Sequence, residues 1–293
     1  MSQQVARTAR TPSTGEIAEH GRKWIEYAGR AGYLTKGVVY LLIGGMAAAA
    51  GWGAGGRTTD SEGAISELAQ QPFGTFLLWL VTIGLLGYCV WRIVEAITDP
   101  DGKGTDAKGI ATRIGYVISG IAYGMLAWTV SPATGSPAGG GGGGSGQTQD
   151  TVGWLLSVPG GKWVLGAIGL AVAGFGLYQI YQGAADKFMD KYNAGGMSET
   201  QRKVAKYSGR LGLIARGITF GIIGFFLVLA ARTLDPNKVK GTGEALDVLA
   251  RQPYGQWILF AVGIGLFCYG IFCFVQARYS TFRVGRLPAG SPV

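Results

Sequence analysis

Six stretches of the chain carry no charged residue: 37–56, 68–91, 114–149, 163–185, 217–231 and 252–277. About 20 apolar residues suffice for a helix to cross the hydrocarbon core of a bilayer. The pattern therefore predicts six transmembrane helices, near 33–52, 73–97, 111–131, 160–182, 211–232 and 254–277. Arg216 interrupts the fifth, but it aligns with Lys36, and both sit about one turn inside the start of a span. Long basic side chains at that depth are expected to snorkel to the headgroups.

The spans come in pairs, because the sequence repeats. "RAGYLTKGVVYLLIGG" from Arg30, "RIGYVISGIAYGMLAW" from Arg113 and "RLGLIARGITFGIIGF" from Arg210 match one another. Gly32, Gly115 and Gly212 share one position, and Gly37, Gly120 and Gly217 another. Further on, "LAQQPFG" at 68–74, "LLSVPGG" at 155–161 and "LARQPYG" at 249–255 correspond. Beyond these, Trp91 aligns with Tyr178 and Phe272, and Glu95 with Gln182 and Gln276. The repeats occupy 30–101, 113–185 and 210–280, flanked by an N-terminal segment 1–29 and a tail 281–293. Two spans return the chain to the side it left, so the repeats are parallel. The predicted fold is an all-α integral membrane protein of three parallel helical hairpins, arranged about a pseudo-threefold axis along the membrane normal.

Between the two spans of each repeat lies a short amphipathic piece: "DSEGAISELAQQP", "QTQDTVGWLLSVP" or "GTGEALDVLARQP". Each ends in a proline, Pro72, Pro159 or Pro253. Proline disfavours helix in the residue before it and suits the first turn of a helix after it. The repeated phrase therefore predicts a corner, with Gly74, Gly161 or Gly255 permitting close backbone approach and Phe73 or Tyr254 at the membrane interface. Gly120 with Gly124, and Gly217 with Gly221, form small-xxx-small pairs that let helix backbones approach. Gly32, Gly37, Gly115 and Gly212 belong to the same helix-packing set. Residues 14–31 read as an amphipathic helix on the inner leaflet, and residues 198–210, opening on Ser198 and Gln201 as a capping box, as a second.

Composition supports the membrane reading: hydrophobic residues make up 48% of the chain and charged residues 15%. The connections on one side carry 17 Lys and Arg and those on the other side six, which places both termini in the cytoplasm. The net charge of +9 is thereby explained without nucleic acid. The partners expected are the bilayer itself, including anionic lipids on the cytoplasmic side, and a second copy or another protein. No apolar run precedes Tyr33, so the first span is expected to target the chain. Cys89, Cys268 and Cys273 all fall within spans and read as small buried apolar residues.

Candidate chemistry is sparse. The only histidine, His20, lacks a second ligand. "GWGAGG" at 51–56 and the glycine run between spans three and four contain formal dinucleotide-type patterns, but neither follows a strand. "DPDGKGTD" at 99–106 has Lys103 at a ligand position and no acid at the twelfth residue, so it is no calcium loop. The predicted catalytic, cofactor and metal residues are accordingly none. Arg92 and Glu95 stand three apart within a span, with Gln179 and Gln182 as their mates in the second repeat and Cys273 and Gln276 in the third. Arg92, Glu95, Gln179, Gln182 and Gln276 form the candidate polar constriction of a pore.

The Arg-x-Gly-Tyr...Gly signature of "RAGYLTKG" and "RIGYVISG", the Gln-Pro-aromatic-Gly corner and the "WRIVEA" after it resemble the bacterial membrane family called domain of unknown function 1206, in three copies over about 28–280. The third copy has Leu213 in place of the tyrosine, and the second lacks the glutamine of the corner. The resemblance implies a multi-pass protein of the bacterial plasma membrane and supplies no activity. Two functional readings follow for a non-enzymatic membrane protein. One is a scaffold that packs through its glycine faces, favoured by the shortage of charge in the spans. The other is a passive pore or carrier around the pseudo-threefold axis.

Overall fold

The structure is a computed structural model that describes residues 14–54, 58–98, 106–134, 145–191 and 197–279. The first 13 residues, the loop over 99–105, the glycine-rich tether over 135–144 and the tail from 280 onward lie outside them. The regular structure among the described residues is helical throughout. Six helices are long and apolar enough to cross a membrane. They are α1 (Thr14–Trp52), α3 (Gly74–Thr98), α4 (Ala107–Val130), α6 (Gly161–Ala184), α7 (Glu199–Thr233) and α9 (Gly255–Tyr279). Three short helices, α2 (Ser61–Ala69), α5 (Ser145–Ser157) and α8 (Thr242–Ala250), each precede the second span of a repeat.

Two surface helices predicted from sequence are not separate elements. Residues 14–31 run without a break into α1, and residues 199–210 form the first turns of α7. The physical reason is the absence of any stop. Ser198 accepts from the Gln201 amide at 3.3 Å while the Gln201 side chain accepts from the Ser198 amide at 2.9 Å, which starts α7. No proline follows until the helix closes on Leu234 in the left-handed region, at φ 55°. With 35 residues at about 1.5 Å each, α7 exceeds the ~30 Å hydrocarbon core by roughly 20 Å.

The corner has the same construction in all three repeats. The amides of Gly74, Gly161 and Gly255 donate to the carbonyls of Gln71, Val158 and Gln252 at 2.8–2.9 Å. Proline stands second in each turn. The third residue, Phe73, Gly160 or Tyr254, has φ of 66°, 83° or 59°. This is a turn of the type II pattern, which requires a left-handed third residue and normally takes glycine there. Phe73 and Tyr254 accept that strain with their rings 83% exposed. The fourth position has no such freedom. A Cβ on Gly74, Gly161 or Gly255 would fall on the carbonyl oxygen of Ala69, Leu155 or Ala250. Below the first and third corners the apolar face of the short helix is fully enclosed at Ala64, Ile65, Ala245 and Leu246, while the middle one buries Val152.

Between repeats, one crossing recurs. A Cβ on Gly37 would lie 3.1 Å from the Gly270 carbonyl oxygen, one on Gly120 3.3 Å from that of Cys89, and one on Gly217 2.6 Å from that of Gly176. These residues occupy matching positions, so the first span of each repeat packs against the second span of another: α1 on α9, α4 on α3, α7 on α6. Within repeats the pattern differs. α1 packs on α3 and α7 on α9, with Gly32 pressed on Tyr88 and Gly212 on Tyr269. In the middle repeat, α4 and α6 make no comparable contact, and Gly115 faces open space. The third expected hairpin is thus not packed. Trp52, Trp128, Trp154, Trp163 and Trp257 are all exposed near the corner end, as an interfacial aromatic belt is.

Replacing Gly255 by Ala is expected to cost about 1–3 kcal/mol through overpacking at the corner. Gly115→Ala, into open space, should leave the melting temperature of the detergent-solubilised protein nearly unchanged. Equal melting shifts for the two variants would contradict this geometry.

Candidate functional site

The first span of each repeat places a polar residue between two positions, three before and four after it, that share its helix face. Tyr33, Lys36 and Tyr40 do so on α1, Tyr116, Ser119 and Tyr123 on α4, and Leu213, Arg216 and Phe220 on α7. The second spans supply Tyr88 and Arg92 on α3, Phe175 and Gln179 on α6, and Tyr269 and Cys273 on α9, again in matching register. Side chains from all six spans meet in one cluster.

Lys36 lies at its centre. It is 4% exposed, with its ammonium 6.0 Å from the ring centre of Tyr40, 5.3 Å from Tyr88, 5.5 Å from Tyr123 and 5.4 Å from Tyr269. Among the described residues it makes no hydrogen bond or ion pair. Arg216 donates to the Tyr269 hydroxyl at 2.7 Å and packs over the rings of Tyr40, Phe220 and Tyr269. Its Nε is buried and without a partner. On the other side Arg92 donates to Tyr88 at 2.8 Å and to Glu95 at 2.7 Å, and stacks over Tyr116 at 5.0 Å. The rings also brace one another edge to face: Tyr33 on Tyr88, Tyr88 on Tyr123, Tyr40 on Tyr269.

Magnitudes decide what this arrangement wants. A lysine buried in a membrane helix costs about 2.5–3.5 kcal/mol on insertion scales. Ring contacts near the ~6 Å limit return roughly 0.5–1 kcal/mol each. Four of them about balance the burial of one charge, but they do nothing for repulsion between charges. Lys36 and Arg216 share the Tyr40 and Tyr269 rings and lie no more than about 10 Å apart, which costs roughly 2 kcal/mol at an effective dielectric constant near 20. Arg92 repels Lys36 across Tyr88 in the same way. Among the described residues, Glu95 is the one carboxylate ion-paired within the cluster, and it is bound to Arg92. Three basic side chains and one carboxylate, itself held by Arg92, leave a centre suited to an anionic group.

Counted from the corner ends, Lys36, Arg92 and Arg216 stand 16 to 18 residues along their spans, about 24–27 Å at 1.5 Å per residue. They share one level, near the boundary of the ~30 Å core on the side of the chain ends.

Of the residues singled out for a constriction, the structure brings Arg92 and Glu95 together. Gln179 is 4% exposed, and neither its amide nitrogen nor its carbonyl oxygen has a partner. Gln182 instead turns to the half-exposed hydroxyl of Tyr178 one turn earlier on its own helix. Gln276 is half-buried on α9. Lys36 and Arg216 correct the expectation of snorkelling. Both turn inward, where one ring of their own helix, Tyr40 or Phe220, and rings of the neighbouring spans surround them. The aromatic residue four positions after each, Tyr40 or Phe220, was the signal in the sequence that would have found them.

The profile of the family described as Domain of Unknown Function (DUF1206) matches residues 31–99, 114–186 and 211–280. The chain belongs to that family. It is also similar to "Uncharacterized protein YxxB" of Bacillus subtilis (strain 168), at 36% identity over 265 residues, covering 90% of this chain and 94% of the relative. No solved structure matches it. The three family matches each span one corner and one set of cluster positions.

Tyr269→Phe removes the one hydrogen bond that Arg216 makes among the described residues, a bond to a charged group worth about 1.5–3 kcal/mol. The melting temperature should fall by several degrees. Tyr254→Phe, with its hydroxyl on an exposed ring, should leave it in place, and equal effects would count against the cluster.

Proposed function

We propose that this is a non-enzymatic protein of the bacterial plasma membrane whose six spans surround a binding centre for an anionic group. Of the two functional readings, this is the pore or carrier rather than the scaffold. The observation that carries it is the pair Lys36 and Arg216, enclosed by aromatic rings, with no carboxylate bound to either among the described residues. Gln179, with an unpartnered buried amide at the position matching Arg92, adds hydrogen-bonding capacity for such a group.

The scaffold reading rested on glycine faces available to partners. Gly37, Gly120 and Gly217 are occupied by crossings inside the chain, which weighs against it. Catalysis has little support, since the cluster's paired carboxylate is held by Arg92 and no group of three metal-ligating residues occurs among the described residues. The orientation follows from the Lys and Arg distribution along the sequence: chain ends in the cytoplasm, with the cluster near the inner boundary of the bilayer. The pseudo-threefold arrangement draws support from the thrice-repeated crossing, with the middle repeat as its departure. Nucleic acid has no place in this account.

The test is anion-dependent stability of the purified protein. Inorganic phosphate should raise its melting temperature, since a ligand at 100 times its Kd adds about 2.7 kcal/mol. Lys36→Met should raise the melting temperature in the absence of anion, by relief of repulsion on the order of 1 kcal/mol, and should abolish the response to phosphate. A response of equal size in wild type, Lys36→Met and Arg216→Met would sink the proposal.

A further inference from the structure

The anion-binding centre has an open side. In the first and third repeats the two spans close on each other where Gly32 meets Tyr88 and Gly212 meets Tyr269. In the middle repeat the matching Gly115 has nothing within 4 Å of where its Cβ would lie, and α4 and α6 stand without extensive packing between them. Yet both helices contribute to the cluster. Tyr116 of α4 stacks on Arg92 and Tyr123 on Lys36, while Phe175 of α6 lies 6.0 Å from the Arg216 guanidinium. The rear wall, made of Lys36, Tyr88, Tyr269 and Cys273, is buried, whereas Tyr116 and Tyr123 are half-buried and Phe175 is 46% exposed.

Resting on the anion-binding reading above, we infer that the occupant is an anionic phospholipid of the leaflet facing the chain ends, entering sideways between α4 and α6. Three observations point to a lipid rather than a solute from water. The opening is toward the bilayer, because α4 and α6 are the two least enclosed of the six spans. The cations lie near the boundary of the hydrocarbon core, the level at which lipid phosphates sit. On the corner side of that level both helices expose apolar side chains, Ile121 and Met125 on α4 and Leu170 on α6, suited to acyl chains. The phosphate then takes the unpaired charge of Lys36 and Arg216, and the buried amide of Gln179 is positioned to hydrogen-bond the polar headgroup.

The experiment is native mass spectrometry of the full-length protein in detergent, titrated with phosphatidylglycerol or with phosphatidylethanolamine. Melting curves in inorganic phosphate are recorded in parallel. Wild type should retain phosphatidylglycerol roughly tenfold or more over phosphatidylethanolamine, a factor within reach of two basic residues. Arg216→Gln and Lys36→Gln should each lose most of that preference. Gly115→Phe, a change into open space and therefore compatible with folding, should lose phosphatidylglycerol while keeping the stabilisation by inorganic phosphate. Undiminished phosphatidylglycerol retention in Gly115→Phe overturns the route of entry. Stabilisation by phosphate with no preference between the two lipids overturns the lipid and leaves the anion centre standing. Absence of both responses in wild type overturns both.

Discussion

Inside a bilayer, apolar side chains gain nothing by leaving the lipid for each other, so helices must be held by close packing of their backbones. The crossings at Gly37, Gly120 and Gly217 meet that requirement, and much of the remaining structure depends on them. Each brings the first span of one repeat against the second span of another, so no repeat is a self-sufficient unit. Because the crossing lies one residue beyond Lys36, Ser119 and Arg216, closing it draws those positions together at one depth. The cation cluster is in that sense a by-product of helix packing, repeated three times and then varied.

The repeats differ at the positions the proposed binding centre uses. A strictly symmetric trimer of hairpins would have placed three like charges in the first-span position and three in the second. The chain instead has Lys36, Ser119 and Arg216 in one set and Arg92, Gln179 and Cys273 in the other. Charge is therefore concentrated in the first and third repeats. The middle repeat, which contributes polar but uncharged residues, is also the one whose spans stand apart. The loss of charge and the opening fall together, and the proposed entrance and binding wall rest on that coincidence.

Much of the fold was legible in the sequence, since span length, repeat spacing and the proline corner are one-dimensional signals with direct physical meaning. The fusion of residues 14–31 with α1, and of 199–210 with α7, was not, because a basic amphipathic run reads the same whether it lies on a membrane or continues a span upright. The inward turn of Lys36 and Arg216 was missed for a related reason. Their distance from the span end fits snorkelling, and only their azimuth, given by Tyr33, Tyr40 and Phe220 on the same face, argues otherwise. The separation of α4 from α6 has no local sequence signal, since Gly115 matches glycines that are tightly packed elsewhere.

The most direct test of the account is a structure of the protein in bilayer nanodiscs containing anionic lipid, determined by electron microscopy with a bound antibody fragment at side-chain resolution. The account predicts Lys36 and Arg216 turned inward on the Tyr40 and Tyr269 rings, with density not belonging to the protein between them and α4 and α6 apart. Lys36 and Arg216 extended to the headgroup layer, around a bundle closed between α4 and α6, would contradict it.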